Sequence, residues 1–166
     1  MSMSGDKGKM RPQKVVMPPP IRVNLTPLAF HHFAERFRDV ARIAQVPSGF
    51  SPVPYYLYCR AIELSLKAFL LLNGVTKAEL KRKSLGHDLV RTLDRAEALG
   101  LAAIVPVSTE EREQVIKAND YYVDKDFEYA NILRAVLGYK DLPDLALLDP
   151  LVHRLLVELK PLCLAA

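Results

Sequence analysis

The chain has 166 residues, half of them hydrophobic and a quarter charged, with 23 basic against 19 acidic side chains. That profile belongs to one compact domain and excludes collagen-like, low-complexity and disulfide-scaffold classes. A chain of this length buries roughly two-thirds of its unfolded surface, so no structural metal or disulfide is needed to hold a core.

The charge is unevenly placed. Lys7, Lys9, Arg11 and Lys14 stand against Asp6 alone in the first twenty residues, so most of the net +4 belongs to this segment. Its Gly/Pro-rich composition predicts a disordered basic tail over 1–22, followed by a single nearly neutral domain over 23–166. Basicity of the whole chain is therefore no argument for nucleic acid. The tail has no apolar stretch of signal-peptide length, and no later segment is long and uncharged enough to cross a membrane. Cys59 and Cys163 lack metal or redox spacing and read as reduced core thiols of a cytoplasmic protein.

Thr26 and Pro27 form an N-cap and N1 pair, and Leu28, Phe33, Phe37, Val40 and Ile43 recur near helical spacing, predicting a first helix over about 27–45. Pro47, Gly49 and Pro52 break it. From Pro54 to Asn73 the chain is apolar almost all round, so this second helix belongs at the centre of a bundle, with Gly74 as its stop. Thr76 and Glu79 make a capping box for a short turn through Leu80. A third long helix is predicted over Asp88–Leu99, closed by Gly100. Ser108 and Glu111 make a second capping box, opening a helix over 109–123. The stretch from Asp124 to Asp149 shows no sustained period and reads as loop with short turns. Asp149 then reads as the cap of a last helix, with Pro150 at N1 and Pro161 at its end. The expected fold is all-α, an up-and-down bundle of four to five helices.

On the second helix Arg60, Glu63 and Lys67 fall at i, i+3 and i+7, and Glu63 to Lys67 is the favourable i, i+4 orientation. They are either a thin solvated ion-paired face or the lining of a pocket. Gly86, His87 and Asp88 are either a helix cap with its bend or part of that pocket. Lys77, Lys81, Arg82 and Lys83 are the only dense basic cluster of the folded part, either a solvated loop or a phosphate contact. His31, His32 and Glu35 do not amount to a metal site and read as surface residues of an amphipathic helix, so no metal and no cofactor is expected. Tyr55, Tyr56, Tyr58, Tyr121, Tyr122 and Tyr129 read as core and rim packing rather than a base-stacking platform.

Taken in order, Tyr58-Cys59-Arg60-Ala61-Ile62-Glu63-Leu64-Ser65-Leu66-Lys67-Ala68, then Gly86-His87-Asp88-Leu89, then Asp126-Phe127-Glu128-Tyr129-Ala130 and Leu142-Pro143-Asp144-Leu145, the chain resembles the HEPN family of small helical-bundle domains. The first segment is similar to the family's A-x-E-x-x-L-K-A pattern and the second to its G/T-H-D-L turn, and the likeness spans roughly residues 50–160. The resemblance implies a homodimeric nucleotide- or RNA-binding or protein-interaction module, in many relatives set beside a nucleotidyltransferase partner. The candidate ligand-binding residues are Arg60, Glu63, Lys67, His87 and Asp88 on the segments that carry the resemblance, with Lys81 and Lys83 from the basic cluster.

Catalytic relatives are metal-independent RNases that place an Arg four to six residues before a His, and Arg82 and His87 have that spacing. The chemistry asks a His to move a proton at the ribose 2′-hydroxyl and an Arg to hold the phosphate. In those relatives the motif lies on a later helix, and Glu128 stands where many members carry a positive charge. The non-catalytic module is therefore the leading expectation and the RNase its alternative. A bundle with no ligand, in which Glu63 and His87 satisfy one another's neighbours, is the third.

Overall fold

The computed structural model describes residues 24–46, 48–82, 85–129 and 132–166, and of Ala135 only the backbone. The tail over 1–22 and Lys83 lie outside the described residues. Seven α-helices and no strand occur among them: α1 (Pro27–Ile43), α2 (Pro52–Leu72), α3 (Lys77–Leu80), α4 (Leu89–Ala98), α5 (Thr109–Val123), α6 (Ile132–Leu137) and α7 (Leu145–Ala165). The chain is thus an all-α bundle, and no described helix is long and apolar enough to cross a membrane.

Most boundaries follow local chemistry. The Thr26 hydroxyl accepts the Ala29 N–H at 3.1 Å, and Ser51 accepts that of Val53, so α2 starts at Pro52, two residues before Pro54. Both capping boxes are formed, Thr76 with Glu79 and Ser108 with Glu111. Gly74 follows α2 with φ +80°, a left-handed backbone that a β-carbon would strain.

The central helix α2 touches α1, α4, α5 and α7, and every residue from Ala61 to Leu70 on it is buried. Leu148, Leu151, Val152, Leu155, Leu156 and Leu159 of α7 complete the core with Leu89 and Leu93 of α4 and Val115 and Ala118 of α5. Cys59 and Cys163 are free and buried within it.

Three expectations are corrected. The last helix begins five residues earlier, capped by Asp144, whose carboxylate accepts the Ala146 N–H at 2.8 Å. Asp149 is not a cap but a mid-helix acceptor for Arg38, and Pro150 and Pro161 both lie inside α7. Each proline removes a backbone bond, but buried side chains on both sides, Leu148 and Leu151 about Pro150 and Leu159 and Cys163 about Pro161, keep the helix continuous. The first helix meets the core only in part through its expected apolar set: His31, Ala34 and Ala41 are buried and Leu28 and Phe37 pack against the core, whereas Phe33, Val40 and Ile43 are 44%, 51% and 83% exposed. The small alanines let α1 approach α2 closely. His31 is therefore a core residue and not a surface one, with no hydrogen-bond partner at either ring nitrogen among the described residues.

The stretch after α5 is organised by rings rather than by helical period. Phe127 stacks on Tyr55 and Tyr121 at 5.4 and 5.1 Å, and Tyr139 donates its hydroxyl to the Asp126 carbonyl at 2.9 Å. Tyr121 bonds both backbone groups of Lys140, donating to the carbonyl and accepting the N–H. These contacts hold the chain across the foot of α2 before α7 starts.

Candidate functional site

The charged stripe of α2 faces a basin and not open solvent. Glu63, 1% exposed, accepts Lys67 Nζ at Oε1, 2.6 Å away, and Arg60 Nη1 at Oε2, 2.9 Å away. The Tyr122 hydroxyl of α5 donates to Oε2 as well, and itself accepts Arg60 Nη1 at 3.3 Å. His87 Nδ1 lies 3.2 Å from the same oxygen, the geometry in which an Nδ1–H donates to the carboxylate. Burial alone would push the Glu63 carboxyl up, but Lys67, Arg60 and these hydrogen bonds outweigh it and hold it below the ordinary carboxylate range. Burial and the adjacent carboxylate push the Tyr122 phenol up, so its proton stays on oxygen.

The turn carrying His87 is pinned from three sides. Lys67 Nζ donates to the Gly86 carbonyl at 2.6 Å, Asn119 of α5 accepts the Leu89 N–H at 2.7 Å, and the Thr92 hydroxyl donates to the Asp88 carbonyl at 2.6 Å. Asp88 caps α4 by accepting the Arg91 N–H at 3.0 Å. Gly86 has no positive φ, so its part in the turn is the carbonyl it offers Lys67. The imidazole meets Tyr122 edge-on at 5.9 Å and is half-exposed. Its Nε2 has no partner among the described residues.

Above this network opens a basin of about 840 Å³, within the usual span of small-molecule sites. Arg60, Lys67, Lys81, Arg91 and Lys125 line it against two carboxylates, Glu63 and Asp88, with Phe30, Leu64, Leu80 and Val123 as its apolar wall. Arg60 and Lys67 are engaged by Glu63, and Arg91 reaches Asp88 at 3.3 Å. Lys81 and Lys125 make no ion pair among the described residues; Lys125 only approaches the Tyr129 ring, at 5.9 Å.

The structure therefore brings Arg60, Glu63, Lys67, Lys81, His87 and Asp88 to one site. Arg82 is exposed and does not line the basin, so it is not assembled with His87 there; Lys83 lies outside the described residues. Sequence reasoning missed Phe30, Arg91 and Lys125, and it took Tyr122 for packing alone. Nothing local marks Tyr122, whose hydroxyl reaches Glu63 only because α5 packs on α2. No group of three or more His, Cys, Asp or Glu among the described residues could hold a metal ion. Compared with protein-family models, curated proteins and solved structures, the chain matches none.

Proposed function

We propose that this chain is a HEPN-like module that holds a phosphate-bearing ligand, a nucleotide or a segment of RNA, in the basin over Glu63. The observation that carries this reading is the excess of cations around a pocket of ligand size, two of which, Lys81 and Lys125, have no carboxylate partner among the described residues. Internal pairing alone accounts for Arg60, Lys67 and Arg91, but not for these two. The apolar wall from Phe30 to Val123 suits a base or ribose, while the two lysines suit the phosphate. A nucleotidyltransferase companion, which the family resemblance adds, belongs to the same proposal.

Titration of labelled short single-stranded RNA and of ATP tests it. Binding should weaken at least tenfold in the Lys81→Glu/Lys125→Glu double variant, and for RNA the log–log salt slope should fall by roughly two. Equal binding by that variant, or none by the native chain at millimolar ligand, would overturn the reading.

One observation favours a second reading, in which the same site acts on RNA. His87 is oriented by a buried carboxylate while its other nitrogen has no partner among the described residues, the arrangement of a general base with its orienting group. In this version Glu63 orients His87, and the phosphate contact that the sequence spacing gave to Arg82 falls to a cation that lines the basin. Cleavage of end-labelled single-stranded RNA in chelator, lost in His87→Ala, would support it; no cleavage by the native protein would remove it.

A further inference from the structure

We infer that a second cavity, between the first turns of α2 and the turn after α5, is a binding site for an organic cation of the trimethylammonium class. The cavity measures about 370 Å³ and is lined by Val53 and Tyr56 of α2 and by Phe127, Glu128 and Tyr129. Its wall is aromatic and aliphatic, with one carboxylate and no basic side chain. The face of an aromatic ring attracts cations, most strongly where water is displaced, and a carboxylate adds a full charge to the same field. The basin over Glu63 has the opposite polarity, with Arg60, Lys67, Lys81, Arg91 and Lys125 against two carboxylates.

The turn after α5 is built to present Glu128 and Tyr129. Phe127, 5% exposed, stacks on Tyr55 and on Tyr121 and so anchors the turn in the core. Its faces are given to those rings, leaving Tyr56, half-buried, and Tyr129, 65% exposed, as the rings a ligand meets. The backbone N–H groups of Glu128 and Tyr129 both donate to the Lys125 carbonyl, at 3.0 and 3.1 Å. Val53 and Tyr56 lie one helical turn apart on α2 and close the opposite side. The wall is thus in place before a ligand arrives, which lowers the ordering cost of binding.

Two observations identify the ligand as a cation. Glu128 is exposed and enters none of the ion pairs among the described residues. Lys125 Nζ stands over the Tyr129 ring at 5.9 Å, so this ring already draws an ammonium group. The field at Tyr56 has the same sign: burial pushes its phenol up and, although Arg60 opposes, Glu128 adds to the rise. Arg60 itself is held on the basin side by Glu63 and Tyr122. A primary ammonium is strongly hydrated and keeps three N–H donors to satisfy, whereas trimethylammonium has none. Ring faces, Val53 and a single carboxylate suit the second.

Amide NMR of the isotope-labelled full chain, titrated with choline up to about 100 mM, tests the site. Shifts should concentrate at residues 53–56 and 127–129. The uncharged carbon isostere of choline, with a tert-butyl group in place of trimethylammonium, should bind at least about fivefold more weakly. Glu128→Gln and Tyr129→Leu should each weaken choline binding by about three- to tenfold, whereas Tyr129→Phe, which keeps the ring, should stay within about twofold of the native chain. Both positions are exposed, and the NMR spectrum itself reports whether each variant is folded. No shift at these residues, equal binding of the isostere, or binding indifferent to Glu128→Gln and Tyr129→Leu would each overturn the inference. A short peptide carrying one trimethyllysine tells the sources apart. Tighter binding of the peptide than of choline assigns the site to a methylated side chain of a partner protein, and equal or weaker binding assigns it to a small molecule. None of this depends on what the basin holds, and ATP and RNA binding are scored on their own.

Discussion

Arg38 grips Asp149 with two parallel hydrogen bonds, Nε to Oδ1 at 2.8 Å and Nη2 to Oδ2 at 3.0 Å, joining the first helix to the last across 111 residues of chain. Tyr58 of α2 donates its hydroxyl to the same carboxylate at 3.2 Å, so three helices meet on one acidic group. Planar two-pronged pairs of this kind are stronger than single contacts between exposed charges. Asp149→Ala should lower unfolding stability by about 1–3 kcal/mol, since it strips two partly buried donors of their acceptor. Asp149→Asn, which keeps one acceptor oxygen, should cost less. Urea unfolding measures both, and an alanine variant as stable as the native chain would show that the pair contributes nothing.

Glu63 holds Lys67, Arg60, His87 and Tyr122 together, and with the carboxylate charge gone the two cations would repel one another within the protein. Glu63→Gln, nearly identical in shape, should therefore cost about 3–5 kcal/mol. A loss below about 1 kcal/mol in urea unfolding would mean that water already screens the cluster.

Tyr122→Phe probes the same network more gently. It removes one hydroxyl that donates to Glu63 and accepts from Arg60, leaving the ring against Tyr56 and His87. The expected loss is about 1–2 kcal/mol, with the fold retained. Because the hydroxyl restrains Arg60, ATP or RNA affinity in the basin should change as well; unchanged stability and unchanged affinity together would mark the contact as incidental.

His31 makes stability depend on pH. Burial lowers its pKa from the ordinary 6.5, and although Glu35 pulls the other way, Lys160 and His32 add to the depression. The folded chain thus resists taking up a proton that the unfolded chain accepts. Stability is at its full value above pH 6.5 and falls as the pH drops below it, toward the lowered folded value. His31→Leu should remove this part of the decline between pH 6.5 and about 5, and at neutral pH it should be no less stable than the native chain because two unpaired ring nitrogens are lost. Thermal unfolding across that range decides it; parallel curves for the two proteins would assign the acid sensitivity elsewhere.

The capping boxes at Thr76 and Ser108 could be read from sequence because cap and partner lie within one turn of each other. The Arg60, Glu63, Lys67 stripe was legible for the same reason, being fixed by helical spacing alone. Asp149 was not. Asp followed by Pro has the form of a helix start, and what overrides it is Arg38 on a distant helix together with leucines that remain buried on both sides of Pro150. His31 was hidden because the apolar spacing of α1 runs through Phe33, Val40 and Ile43, and only the packing of Ala34 and Ala41 against α2 reveals which side faces the core. Tyr122, Arg91 and Lys125 join the basin through the approach of α4 and α5, which no local pattern encodes.

Arg60 is shared among three neighbours that need it in different ways. One face of its guanidinium lies over the Phe37 ring at 5.5 Å, and its Nη1 holds both Glu63 and Tyr122. Drawing this side chain toward the basin would uncover Phe37 on α1, and moving α1 would take away the surface on which the guanidinium rests. The lining of the basin and the seating of the first helix thereby share one side chain.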